Sequence, residues 1–459
     1  MKRVRSQTPG SWISALGLLA LGALFIQWWR TNPAVSLPGR VSALFSAALF
    51  AAVCLRFVPE WMEFWRVGHA VPKLPERRGE AASDTPAHME VRIFLSFLAV
   101  NALVVLLVFL LRKAAGYGGS FLENLEFWRC TDSAHYLDIA RDWYLSEGDW
   151  DRLVQLVFLP GYPIAVRLVN YVVGYDLYSG MIVSALSFGG AGCVLYRLLR
   201  LDLPHRDAVR ALKYLCILPG AFFFTAPMSE SLFLLLCASC IYCARTGKWT
   251  LGCLFGGLAA FTRSLGLTLF VPLLWEWIGE MRNDPGKKTV GRRVLQGVSL
   301  LLVPAGFTVY CWVNYSVSGD PFQFMEYQSV HWGQRFGYFF NTAAYQLEQA
   351  IRCGGEDLRI MLGLWIPNLI SGFGSLILMF FAAKKMRASY TAWFIAYFFI
   401  AIGATWLLSA PRYLIALIPV PLAVSLLTKR KKADVIAAPC CTVLYLLYLY
   451  AFVMRWQVW

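Results

Sequence analysis

The chain of 459 residues is 58% hydrophobic and only 15% charged. Soluble domains carry roughly 45–50% apolar and about 25% charged residues, so the composition excludes soluble domains and requires lipid around much of the folded surface. The formal net charge of +15 fits either a nucleic-acid surface or basic loops on the cytoplasmic side of a membrane, and its distribution along the chain separates the two.

A crossing helix needs about 20 mostly apolar residues. In chain order, such runs cover residues 12–29, 41–58, 92–111, 177–196, 294–314, 364–383, 390–408, 413–427 and 435–454. Region 211–244 is too long for one helix and is interrupted near Pro227 and Ser229, so it reads as two. Region 250–278 carries Arg263 in its middle and reads as a hairpin of two shorter helices. The expectation is an all-α polytopic membrane protein with about thirteen spans.

The first run follows a basic N-terminal segment, as in a signal peptide. It is long, however, and ends in Gln27-Trp-Trp-Arg30 with no small-residue cleavage site, so it reads as a retained anchor. Residues 60–90, rich in Pro, Arg, Glu and Ser, read as a flexible inner linker. The chain thus divides into residues 1–91, two N-terminal spans and a linker, and residues 92–459, the larger core.

With the N-terminus inside, basic clusters at 2–5, 66–78, 197–213, 245–248, 282–293, 384–387 and 429–432 fall on the inner side. That side then holds roughly two-thirds of the 42 Lys and Arg, as the positive-inside rule requires. No polar domain concentrates the charge, so nucleic acid is not an expected partner. Two outer loops are large, 112–175 and 316–363. Irregular, site-forming backbone is not tolerated against lipid, so these loops are where a site is expected.

In the first outer loop, Asp132, His135, Tyr136 and Ile139 follow i, i+3, i+4, i+7 spacing and share one helix face. A carboxylate beside an imidazole suits acid–base work. The same pair also fits an N-terminal helix charge stabilised by the macrodipole and a histidine hydrogen-bonded nearby. The triplet Asp149-Trp150-Asp151 has a D-x-D form that can hold a divalent metal, but in this acidic stretch it reads as a solvated loop. The short apolar stretch from Phe158 to Val173 would reverse the sidedness of everything downstream if it crossed, so it reads as a helix lying in the interface.

These segments carry a resemblance. Asp132-x-x-His135-Tyr136-Leu137-x-Ile139-Ala140, then Phe158 and Pro160-Gly-Tyr-Pro163, resemble the GPI mannosyltransferase II (PIG-V-like) family. Ala226-Pro-Met-Ser-Glu-Ser-Leu-Phe233 and Thr262-Arg-Ser-Leu-Gly266 resemble later family segments. Gly319-Asp-Pro-Phe322 with Gln328, Trp332-Gly333 and Arg335, and then Pro411-Arg-Tyr413, resemble its bacterial members. The likeness covers about residues 92–427, in order. It departs at Thr131, where the family usually has Trp before the acidic residue.

The resemblance implies a GT-C-like bundle with interfacial helices in the first outer loop. It implies a sugar, mannose, moved from a polyprenyl- or dolichyl-phosphate donor to a hydroxyl of a glycan or glycolipid acceptor on the non-cytoplasmic side. The membrane would be the plasma membrane in a bacterial cell, or the endoplasmic-reticulum membrane in a eukaryotic one. The chemistry needs one carboxylate to take the proton of the attacking hydroxyl and fixed cations for the leaving phosphate. Asp132 is the expected base, with His135 orienting it, contacting phosphate, or making only a structural hydrogen bond. Arg263, Arg335, Arg412 and His331 are the expected cations, with Gln328 and Trp332 beside them. An embedded Arg263 must be paired or line a wet cavity, and Glu230 is its nearest acidic candidate. Arg412 reads either as a phosphate ligand or as an arginine snorkelling to head groups. Glu230 reads either as a ligand for a substrate hydroxyl or as part of a helix start capped by Ser229.

No cofactor or metal is expected: no phosphate-loop, dinucleotide or zinc spacing occurs. Cys237, Cys240 and Cys243 line one side of an apolar helix and read as packing residues rather than an iron–sulfur site. Cys130 and Cys353 are the only cysteines in the large outer loops, where a disulfide is chemically allowed. The competing readings are a flippase or polymerase of lipid-linked oligosaccharides, which relies on Arg rather than one carboxylate, and a secondary transporter. The latter favours two similar halves, and no internal repeat is visible.

Overall fold

The computed structural model describes residues 9–65, 86–145, 154–283, 289–407 and 409–459. The first basic cluster, most of the inner linker, the D-x-D triplet and part of the 282–293 cluster lie outside them. The described chain is 81% helix with no strands. Extended chain pairs in one isolated antiparallel bridge between Phe336 and Ala404.

In chain order the main helices are α1 (Pro9–Thr31), α2 (Leu37–Trp65), α3 (Met89–Ala114), α4 (Asp132–Asp142), α5 (Gly161–Val173), α6 (Asp176–Arg200), α7 (His205–Ile217), α8 (Glu230–Arg245), α9 (Trp249–Thr262) and α10 (Phe270–Asn283). They continue as α11 (Val290–Ser299), α12 (Leu302–Ser318), α13 (Gln323–Trp332), α14 (Phe339–Glu356), α15 (Ile366–Ala382), α16 (Ala388–Ala401), α17 (Ala410–Ile415), α18 (Pro419–Leu427) and α19 (Lys431–Val453).

Among the described residues, six helical stretches are long and apolar enough to cross a membrane: Leu37–Glu63, Met89–Ala114, Asp176–Arg200, Val290–Ser318, Leu358–Lys385 and Lys431–Val453. They present large apolar side chains outward, among them Leu55, Leu95, Leu103, Val294, Leu301 and Leu447, as lipid-facing helices do. The expected count of about thirteen is not confirmed among the described residues, where several apolar runs break into shorter pieces. Residues 413–427 are divided where α17 ends and α18 begins at Pro419. Region 211–244 becomes α7, a 3₁₀ turn at Ala221–Phe224 and α8. Region 250–278 becomes α9 and α10, joined by a 3₁₀ segment at Ser264–Leu269 that begins just after Arg263. Much of the apolar character of α9 serves protein packing. A Cβ on Gly306 would lie 2.9 Å from the Gly257 Cα, so backbone meets backbone where α9 crosses α12. Cys237, Cys240 and Cys243 are buried on α8, with Cys240 Sγ facing Gly256 of α9. Helix α5 has 13 residues, too few to cross, and exposes Leu168, Tyr171 and Val172.

Polar clamps fix the first outer loop against the bundle. Arg129 makes a two-pronged bond to Asp176 at the start of α6, at 3.0 and 2.6 Å. The Arg167 guanidinium on α5 donates to the carbonyls of Ala140 (2.6 Å) and Arg141 (3.2 Å), satisfying the end of α4. Tyr162 donates to the Gly180 carbonyl at 2.8 Å and meets the Ser184 hydroxyl, which bonds the Ala226 carbonyl at 2.7 Å. Gly220 takes the left-handed conformation (φ 88°) where the chain turns against Pro411. The Pro160, Ala226 and Pro411 segments are therefore neighbours in space.

Candidate functional site

Helix α4 starts at Asp132, directly after Thr131 at φ 51°, ψ −135°. A β-branched residue rarely adopts positive φ, and such conformations persist where the surroundings over-determine them. Here Ser133 supplies part of that constraint: its hydroxyl accepts the Cys130 N–H at 2.8 Å and donates to the Trp128 carbonyl at 2.5 Å. The Asp132 carboxylate projects from this turn into a cavity of about 690 Å³.

Three charged side chains from distant segments extend from it in a chain of ion pairs. Arg412, one residue after Pro411 in α17, donates from Nη2 to Asp132 Oδ2 at 2.5 Å. Its Nε stands 3.1 Å from Oε1 of Glu230, the first residue of α8. The same Glu230 oxygen accepts from Arg263 Nη1. Arg263 occupies the break after α9, with extended backbone (φ −148°, ψ 136°). The tetrad comprises two guanidinium groups and two carboxylates, so its formal charges cancel. Glu230 is 1% exposed, Arg412 7%, Arg263 10% and Asp132 20%. Burying such charges is tolerable only because each has partners.

Aromatic rings complete the cage. The Arg263 and Arg412 guanidinium carbons lie 5.3 and 5.6 Å from the Tyr413 ring, and Phe223 is 5.7 Å from Arg412. Burial is the largest influence on Arg412 and opposes its charge; Asp132 and then Glu230 more than offset it, so its pKa sits above the ordinary arginine value. Tyr136 is buried on α4 with its hydroxyl 3.0 Å from Ser229 Oγ, which accepts from Arg263 Nη1 at 3.0 Å. Burial raises the Tyr136 phenol above its usual range, which keeps the hydroxyl protonated as a hydrogen-bonding strut.

The expected site residues fall into two groups. Asp132, Arg263 and Arg412 line the cavity at its charged end, and Gln328, Trp332 and Arg335 line it from the second outer loop. Arg335 donates to Ser329 at 2.8 Å and forms no ion pair among the described residues. Glu230, expected as a substrate ligand or a cap partner, is behind the arginines and not on the cavity wall. Ser229 makes no cap bond and spends its hydroxyl on Tyr136 and Arg263. Arg412 is buried rather than snorkelling. His135 is not on the wall; its ring stacks on Phe158 (4.8 Å, 18°), which does line it. His331 is likewise off the wall, its ring 6.0 Å from that of Trp332.

Sequence reasoning missed the roles of Tyr136, Ser229 and Tyr413, which act through contacts spanning many tens of residues. The remaining wall is largely apolar, with Phe307, Phe322, Phe324, Phe336 and Ile400. Among the described residues, no three His, Cys, Asp or Glu side chains form a metal-binding group. Compared with models of protein families, with characterised proteins and with solved structures, the chain matches none.

Proposed function

We propose that this protein is a GT-C-type membrane glycosyltransferase that moves a sugar, mannose by its resemblance to the GPI mannosyltransferase II family, from a polyprenyl or dolichyl phosphate to an acceptor hydroxyl on the non-cytoplasmic face. The observation that carries the reading is the pairing of one cavity-lining carboxylate, Asp132, with Arg412, beside a second cavity-lining guanidinium, Arg263, at the charged end of a largely apolar cavity.

The acceptor oxygen attacks the anomeric carbon while the bond from that carbon to the phosphate oxygen breaks, its electron pair leaving with the phosphate. The hydroxyl proton passes to Asp132. Attack opposite the leaving group inverts the anomeric configuration. Arg412 and Arg263 meet the charge that grows on the phosphate, in a dry setting where such interactions are strong. Trp332 and Phe158, edge to face at 6.0 Å, offer ring surface to a sugar. Phe307, Phe336 and Ile400 suit the prenyl units nearest the phosphate.

Incubation of the purified protein with polyprenyl-phosphate-mannose and a panel of glycan and glycolipid acceptors, followed by mass spectrometry, tests the reading. Gain of one hexose on an acceptor, abolished in Asp132→Asn with donor binding kept, is the expected result. A flippase or an Arg-dependent polymerase would keep working with that carboxylate neutralised.

A further inference from the structure

The four side chains of the charge tetrad are already paired with one another. An entering phosphate group adds negative charge to a cluster whose own charges already cancel, so at the tetrad it competes with the carboxylates for the guanidinium groups they hold. Glu230 is poorly placed to yield: it is 1% exposed, off the cavity wall and held by both arginines. Asp132 is on the wall, 20% exposed, and held within the tetrad by Arg412 alone.

We infer that Arg412 exchanges Asp132 for the donor's phosphate, so that docking of the lipid phosphate releases the carboxylate for the acceptor hydroxyl. The inference rests on the glycosyltransferase reading and adds a regulation to it. Before the donor arrives, Asp132 Oδ2 accepts the Arg412 N–H, which makes the carboxylate a weaker base toward an acceptor hydroxyl. Once the phosphate takes that N–H, Asp132 is freed a few ångströms from the sugar. Activation of the acceptor therefore follows docking of the donor phosphate. Arg412 contacts substrate in this scheme, whereas Glu230 is a positioning residue that keeps both guanidinium groups at the cavity's end.

The exchange predicts a result opposite to that for an ordinary ligand-contact residue. If Arg412 is free of Asp132 in only about a tenth of molecules, removing the competitor tightens phosphate binding roughly tenfold. The test is the affinity of the full-length protein, in lipid nanodiscs, for a polyprenyl monophosphate without sugar. Wild type is compared with Asp132→Asn, Asp132→Ser and Arg412→Gln, and thermal unfolding is followed for each. Tighter binding in both Asp132 variants, with loss of binding in Arg412→Gln, is the expected result. Equal or weaker binding in Asp132 variants that unfold at the wild-type temperature overturns the exchange while leaving the glycosyltransferase reading intact. Absence of binding to the wild type overturns both.

Discussion

Gly161, at the start of α5, lies so close to the Arg263 turn that a Cβ at this position would stand 2.9 Å from the Cα of Thr262. Real side chains do not reach that distance without something moving. The nearest atom is the Thr262 hydroxyl oxygen, and behind it stand the Thr262 Cα and the Phe261 carbonyl, backbone that gives way only at a cost of about 1–3 kcal/mol, typical of overpacking. Gly161→Ala should therefore lower the thermal midpoint and, by pushing the Thr262–Arg263 turn, reduce sugar transfer. Thermal unfolding in detergent and a transfer assay on the same preparation check both effects.

Glu230 and Asp132 should separate when neutralised. Glu230→Gln leaves two buried guanidinium groups facing one another with one carboxylate fewer, and breaking a buried pair of this kind costs about 3–5 kcal/mol. Asp132→Asn keeps Arg412 paired with Glu230 at a more accessible position, so its loss of stability should be much smaller. Unfolding midpoints of the two variants, measured in the same lipid, give the comparison.

Tyr136→Phe removes only the hydroxyl that bonds Ser229, which in turn supports Arg263. A single net hydrogen bond is worth about 1 kcal/mol, so the variant should fold with a slightly lower midpoint. Its transfer rate should fall while Asp132 remains in place, a split that steady-state kinetics resolve.

Cys130 and Cys353 are both free thiols. Cys130 is 5% exposed, and burial pushes its thiol pKa above the ordinary value. Because the reactive thiolate forms only as pH rises through that raised pKa, raising the pH from about 7 to about 8 should add less modification at Cys130 than at an exposed cysteine with pKa near 8.5. Maleimide labelling followed by mass spectrometry should find Cys130 protected in the folded protein, labelled after denaturation, and never bridged to Cys353.

Arg263 and Glu230 were legible in the sequence because a charge inside an apolar run needs a partner, and each supplies the other's. The breaks near Ser229 and after Arg263 were readable for the same reason. The number of crossing helices was not. Hydropathy cannot distinguish a helix wrapped in lipid from α9, whose glycines press it against α12, or from the short pieces on either side of Pro419. His135 shared a helix face with Asp132 by spacing, yet its ring found Phe158, a contact that depends on the loop returning through residue 158. The Ser229 strut was hidden because a serine before a helix most often caps it, and only the fold reveals Tyr136 and Arg263 within reach.

In the proposed reaction Asp132 removes the proton from the attacking hydroxyl. The most direct test of that step is the single-turnover rate of mannosyl transfer by Asp132→Asn, at saturating polyprenyl-phosphate-mannose and in a preparation whose unfolding matches the wild type. Loss of a positioned base predicts a fall of roughly 10²- to 10⁴-fold with donor still bound. A rate equal to that of the wild type would contradict the account.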